Sequence, residues 1–120
     1  MKTNVKATNI ELTEALSQYV DEKLLQVEKF VDAEDESVMC DVEIGVSTKH
    51  HQSGDIFRAE MTCHTAGKDF RAESEKEDLY LAINDTKEEL IAGIKSYREK
   101  QRKLKKKGAL ALKNIIKGAE

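Results

Sequence analysis

The residues with the clearest chemical potential are cations. Lys87, Lys95, Arg98, Arg102, Lys105 and Lys106 recur at helical steps of three, four and eight residues, the spacing that puts side chains on one arc of an α-helix. The run from 100 to 107, KQRKLKKK, carries no acidic residue. Pairs such as Lys95–Glu99 and Glu99–Lys103 could neutralise part of the row as an ordinary solvated face. They leave most of it unbalanced, and unbalanced like charges repel unless a polyanion offsets them. Six cations meeting phosphates would give a log–log salt dependence of binding near about −4, using the single-strand coefficient. A basic row on a rigid helix suits RNA read by its shape and backbone.

Other reactive residue types are sparse. His50, His51, His64, Cys40 and Cys63 are the only candidates for metal ligation or thiol and imidazole chemistry. No CxxC or HxxxH spacing occurs, so no metal site is expected. There is no phosphate-cradling glycine loop and no nucleophile–base pattern, so no enzyme and no cofactor are expected. Cys40 and Cys63 alternate with Val, Ile and Met, where a thiol is an ordinary small core residue. Glu77 and Asp78 fall in the first turn of the expected helix, where its dipole accounts for them. With three Phe, three Tyr and no Trp, a sheet-surface platform for stacking bases is not expected.

The chain has 120 residues, enough for one core. Its net charge of −3 hides a segregation of sign. Residues 1–86 hold 9 Lys and Arg against 19 Asp and Glu, a balance of −10, and residues 87–120 hold 11 against 4, or +7. Such a dipolar chain can bind a polyanion through one end while its acidic part limits non-specific adhesion. No stretch approaches 18 apolar residues, so no membrane span is expected. The start, MKTNVKATNIELT, lacks a signal-peptide core, and two cysteines do not make a disulfide framework. Cytoplasmic residence is the default.

The elements that must position the basic row follow from periodicity. Lys2 to Ala7 alternates as a first strand, with Thr3, Val5 and Ala7 on one side. Thr13 is a plausible N-cap for a helix from about Glu14 to Phe30, whose apolar residues include Leu16, Tyr19, Val20, Leu24 and Val27. The acidic residues 32–36 form a loop. Val38 to Val46 and Ile56 to Thr65 alternate as strands, separated by the polar loop STKHHQSG. Ala66-Gly67 predicts a tight hairpin with Gly supplying a positive φ, and the strand from Lys68 to Glu73 returns. The run 74–107 then predicts a long amphipathic helix, Ser74 capping it in a box with Glu77. Its stripe is Leu79, Ala82, Ile83, Thr86, Leu90, Ile94, Tyr97 and Gln101. Such a helix is about 45 Å long, so its distal end should project past the core.

The predicted fold is α+β, in the order β-α-β-β-β-α: a four-stranded mixed sheet with both helices packed on one face. The first strand pairs parallel to the second through a right-handed helical crossover. Gly108 is expected to end the helix. The division is a domain over 1–107 and an apolar-basic tail over 108–120, with ALALKNII at 109–116 unpartnered.

Several segments together resemble the ribosome hibernation factors, also called ribosome-associated inhibitors or subunit-interface proteins. They are TNIELTEAL at 8–16, Tyr19-Val20, Lys23-Leu24, Lys29-Phe30, FRAE at 70–73 and EDLYLAIN at 77–84, leading into the basic helix. The resemblance covers about residues 1–105. It implies a non-enzymatic protein of bacterial or plastid type. Such a protein would bind the small ribosomal subunit and its ribosomal RNA in the channel used by mRNA and tRNA. At the matching positions it implies RNA contacts from Lys23 and Lys29 on the first helix, and from Lys87, Lys95, Arg98 and Arg102 on the second, with Lys105 and Lys106 extending the row. Ser17 and Gln26 stand where the family commonly has basic residues. Two alternatives remain open on the residues alone. One is a general structured-RNA-binding module. The other is a protein-interaction module that self-associates or docks through the tail.

Overall fold

The computed structural model describes residues 1–31, 35–47 and 54–118, the last three by backbone only. His50, His51 and most of the two predicted loops therefore lie outside the described residues. The elements are β1 (Lys2–Thr8), α1 (Glu14–Glu28), β2 (Met39–Ser47), β3 (Ile56–His64), β4 (Asp69–Lys76) and α2 (Leu79–Gly118). The sheet order is β1-β2-β3-β4, with β1 parallel to β2 and the other pairs antiparallel. This is the predicted β-α-β-β-β-α arrangement.

Alternation builds the sheet. Cys40, Val42 and Ile44 of β2 and Ala59, Met61 and Cys63 of β3 are buried, while the residues between them face the other side. Their apolar face joins Leu16, Val20, Leu24 and Val27 of α1 and Ala82, Ile83, Leu90 and Ile94 of α2 in one core. Thr13 caps α1, its Oγ1 accepting from Leu16 N at 3.2 Å. Asn9, at φ 60, turns the chain out of β1; Asn tolerates this left-handed region better than most residues.

Helix α2 departs from expectation at both ends. Ser74 does not cap it: β4 continues to Lys76 because Ser74 pairs with Ala59 and Lys76 with Phe57. Ser74 Oγ instead donates to Asp85 Oδ2 at 2.6 Å, tying β4 to the helix. The cap is Asp78, whose Oδ1 accepts from Tyr80 N at 2.8 Å and Leu81 N at 3.4 Å. Gly108 does not break the helix either, and α2 runs 40 residues to Gly118. A glycine inside a helix costs only about 1 kcal/mol, and with no proline nearby the Lys, Ala and Leu on either side carry the helix through. The helix is therefore about 60 Å long, and the molecule measures 72 × 32 × 16 Å.

The predicted stripe is observed. Leu79, Ala82, Ile83, Thr86, Leu90 and Ile94 are buried and Tyr97 and Gln101 half-buried. The buried Thr86 hydroxyl lies 2.7 Å from Ala82 O and 3.2 Å from Ala59 O, bridging helix and sheet. The hairpin at residues 65–68 forms without a positive φ at Gly67. Thr65 closes it: its N–H donates to Lys68 O, and its Oγ1 accepts from Lys68 N at 3.1 Å.

Candidate nucleic-acid interface

On the open face of the sheet, Arg58, Arg71, Glu60 and Glu73 pair with one another. Arg58 pairs with Glu60 and Glu73, and Arg71 pairs with Glu60 at 2.9 Å and with Glu73 at 3.3 Å. Hydrogen bonding from Arg71, then from Arg58, holds the Glu60 carboxyl below its ordinary value against the opposing effect of burial. Within this cluster both guanidiniums are already matched by carboxylates, which leaves them little to offer a phosphate.

Helix α2 is the opposite case. Lys95, Arg98, Arg102, Lys105 and Lys106 are all exposed. Among the described residues none of the five has a carboxylate within ion-pair distance; Glu99 pairs with Lys103 at 3.7 Å instead. Periodicity continues their arc down the helix beyond the last buried residue, Ile94.

The arc begins at a seam with α1. Lys95 Nζ sits 4.8 Å from the centroid of the Phe30 ring, and Lys23 Nζ sits 4.8 Å from that of Tyr19. Tyr19 packs edge-on to Tyr80 at 4.8 Å and donates its hydroxyl hydrogen to Tyr80 O at 3.3 Å. Glu88 lies in the same field. Its carboxyl is held below the ordinary value first by a hydrogen bond from Lys87, and further by Lys23 and Lys95. The rings fix lysine stems that would otherwise lose rotamer freedom on binding.

Two of the expected contacts are placed differently from the rest. Lys87 is buried, with 5% of its surface accessible, and its ammonium pairs with Glu88 at 2.6 Å. It belongs to the edge of the core stripe. Lys29 is exposed at the C-cap of α1 and lies with Glu22, Leu25, Gln26 and Glu28 along a shallow groove lined by α1 and its C-cap alone.

Lys68 is a further cation near this seam, outside the helical pattern. It sits in the β3–β4 turn, its ammonium 4.8 Å from the centroid of Tyr97 and 5.7 Å from that of Phe70. Phe30, Gly67, Tyr97 and Arg98, together with Asp35, line one cleft next to this turn. No helical period could reveal a cation delivered by a turn. The rings that hold it, Phe70 and Tyr97, come together only in the fold, meeting edge-on at 5.4 Å.

Among the described residues, no group of three or more His, Cys, Asp and Glu is arranged to hold a metal ion. His64 bonds instead to Asp41 and Asp69, each at 3.2 Å.

Comparison with known proteins decides the family. The sequence model described as sigma 54 modulation protein / S30EA ribosomal protein matches residues 3–102. The chain belongs to this family. A ribosome hibernation promoting factor from Pseudomonas putida is 30% identical over 104 residues, covering 87% of this chain and 93% of that protein. The crystal structure of the N-terminal domain of Thermus thermophilus Protein Y superposes with a TM-score of 0.67 at 28% identity, over 81% of this chain and 99% of that one. A ribosomal subunit interface protein from Coxiella burnetii shares the fold, with a TM-score of 0.65 at 11% identity, over 82% of this chain and 99% of the other. The S30EA match spans the sheet from Thr3 onward, α1 and the first part of α2, including Lys95, Arg98 and Arg102.

Proposed function

We propose that this S30EA-family protein is a ribosome hibernation factor. It acts in the cytoplasm without catalysis, binding the ribosomal RNA of the small subunit in the mRNA and tRNA channel and so keeping idle ribosomes from translating. The observation that carries this reading is the row Lys95, Arg98, Arg102, Lys105 and Lys106, exposed and unmatched by carboxylates among the described residues, in a chain whose relative is named a hibernation promoting factor. Lys23 and Lys68, braced on aromatic rings, flank the row. Lys29 adds a contact from the end of α1, and Lys87 supports the seam through Glu88. In this reading residues 1–107 form the ribosome-binding unit and 108–120 the tail.

Co-sedimentation with small subunits at low and raised salt tests the proposal. Binding should survive an excess of unrelated duplex RNA and compete with mRNA or tRNA. Binding lost equally to unrelated duplex would favour a general structured-RNA module instead.

One observation favours a second role for the tail. Leu104, Leu110, Leu112 and Ile115 are exposed at 56–68% on the projecting part of α2, a display of apolar surface that suits a protein contact. Light scattering of the full chain against a chain ending at Lys107 measures self-association; equal masses would remove the tail from it.

A further inference from the structure

Cys40 and Cys63 stand directly opposite each other on the two central strands, Cys40 of β2 paired with Cys63 of β3. Both side chains point into the core, both are fully buried, and both are free thiols. The hydrogen-bonding phase of this pair follows from two bonds at the ends of the strands. Thr65 N–H donates to Lys68 O, across to β4. Backbone polar groups of alternate strand residues point to the same side, so those of Cys63 also turn toward β4 and away from β2. Val38 O accepts from Lys2 N, toward β1, so the polar groups of Cys40 likewise turn toward β1 and away from β3. The two cysteines therefore face each other as a non-hydrogen-bonded antiparallel pair. Such pairs hold their Cα atoms about 4.5 Å apart, inside the range of about 4.4–6.8 Å that a disulfide spans.

We propose that Cys40 and Cys63 are a redox modification site that closes to a reversible cross-strand disulfide. The oxidant is a small-molecule disulfide such as oxidised glutathione. One protein thiolate attacks a sulfur of that molecule, forming a mixed disulfide and releasing a first glutathione thiolate. The opposite cysteine gives up its proton and attacks the protein sulfur of the mixed disulfide, expelling the second thiolate. The two released thiolates take up the two protons. The net change is one protein disulfide formed and one small-molecule disulfide reduced to two thiols.

The hydrogen bond between the thiols, and then burial, raise the Cys40 pKa, while the same hydrogen bond lowers that of Cys63. Either thiol can attack first, and the opposite one then resolves the mixed disulfide. Because both lie beneath the helices, the reaction is gated by opening of the core. The bond would cross-link the central strands and close a loop over residues 41–62, a constraint on the unfolded chain. It leaves the outward arc of α2 untouched, so it alters the endurance of the fold rather than the charge it displays.

The test uses the purified full chain, treated with oxidised glutathione in native buffer and in denaturant just below the unfolding midpoint. Intact mass after alkylation reads the product. The expected product has lost two hydrogens, has no alkylatable thiol, forms faster near the midpoint, reverts with dithiothreitol, and melts several degrees higher once returned to native buffer. Cys40→Ser and Cys63→Ser should each stop at the mixed disulfide. A wild-type chain that also stops at mixed disulfides, that does not oxidise in either condition, or whose oxidised form melts lower than the reduced one would overturn the proposal.

Discussion

Lys95 of α2 holds its ammonium 4.8 Å from the ring centroid of Phe30, just beyond the end of α1. One cation of the exposed row is thus anchored by a residue of the other helix. Phe30→Leu keeps apolar bulk against the core and removes the ring face. It should weaken ribosome pelleting by about 2- to 5-fold, matching about 0.5–1 kcal/mol for an exposed cation–π contact, with the melting temperature almost unchanged. A large drop in melting temperature would show that Phe30 acts through the core instead.

The triple change Lys95→Ala, Arg98→Ala and Arg102→Ala removes three of the unmatched cations. Each phosphate contact contributes about 0.7 to the logarithmic salt slope, so the slope should flatten by about 2 while the thermal melt stays close to wild type. Undiminished binding by this variant would sink the proposed interface.

Gly45 is where the parallel strands crowd each other. A Cβ there would lie 2.6 Å from Thr8 O and 3.4 Å from Thr8 Cβ. Gly45→Ala should cost about 1–3 kcal/mol, the usual range for overpacking, read from denaturant melts. Gly93 and Gly108 meet nothing within 4 Å, so Gly93→Ala or Gly108→Ala should raise helix stability by about 1 kcal/mol. The opposite signs separate a steric glycine from two incidental ones.

His64 bridges two strands through carboxylates. The hydrogen bond to Asp69, with a further one to Asp41, raises its pKa above the ordinary 6.5, burial opposing. The folded state therefore holds the proton more tightly than the unfolded chain. The resulting stability is fully present below about pH 6.5 and fades as pH rises through the folded value. Proton NMR of the imidazole should show the raised titration, and His64→Gln should abolish that part of the pH dependence of the melt.

The sheet was legible because its code is local: a period of two through Cys40, Val42 and Ile44, and again through Ala59, Met61 and Cys63, assigns faces without knowledge of a partner. The stripe on α2 was legible for the same reason at a period near 3.6. The start of α2 was not. Ser74 and Asp78 can both cap a helix, and what decides between them is the pairing of Ser74 with Ala59 across β4 and β3, a tertiary fact. Lys87 repeats the lesson at the site. Its spacing puts it at the border between stripe and basic row, and only the folded packing settles that it is buried. The five exposed cations beyond Ile94 were legible because what packs near them, Phe30 beside Lys95 and Phe70 beside Tyr97, leaves them exposed.

The 40-residue α2 makes this last point mechanical. From Arg98 onward it is a rod anchored at one end, reaching about 30 Å at 1.5 Å per residue. The body of the domain sets its direction, and residue count sets both its reach and its rotation. Removing one residue before Arg102 would shorten the rod only slightly but turn every later cation by about 100° around the axis. Removing seven would shorten it by about 10 Å and leave their bearing almost unchanged. Length and facing are thus coupled in a fixed ratio, so the spacing of the cations is as much a part of any fit as their charge.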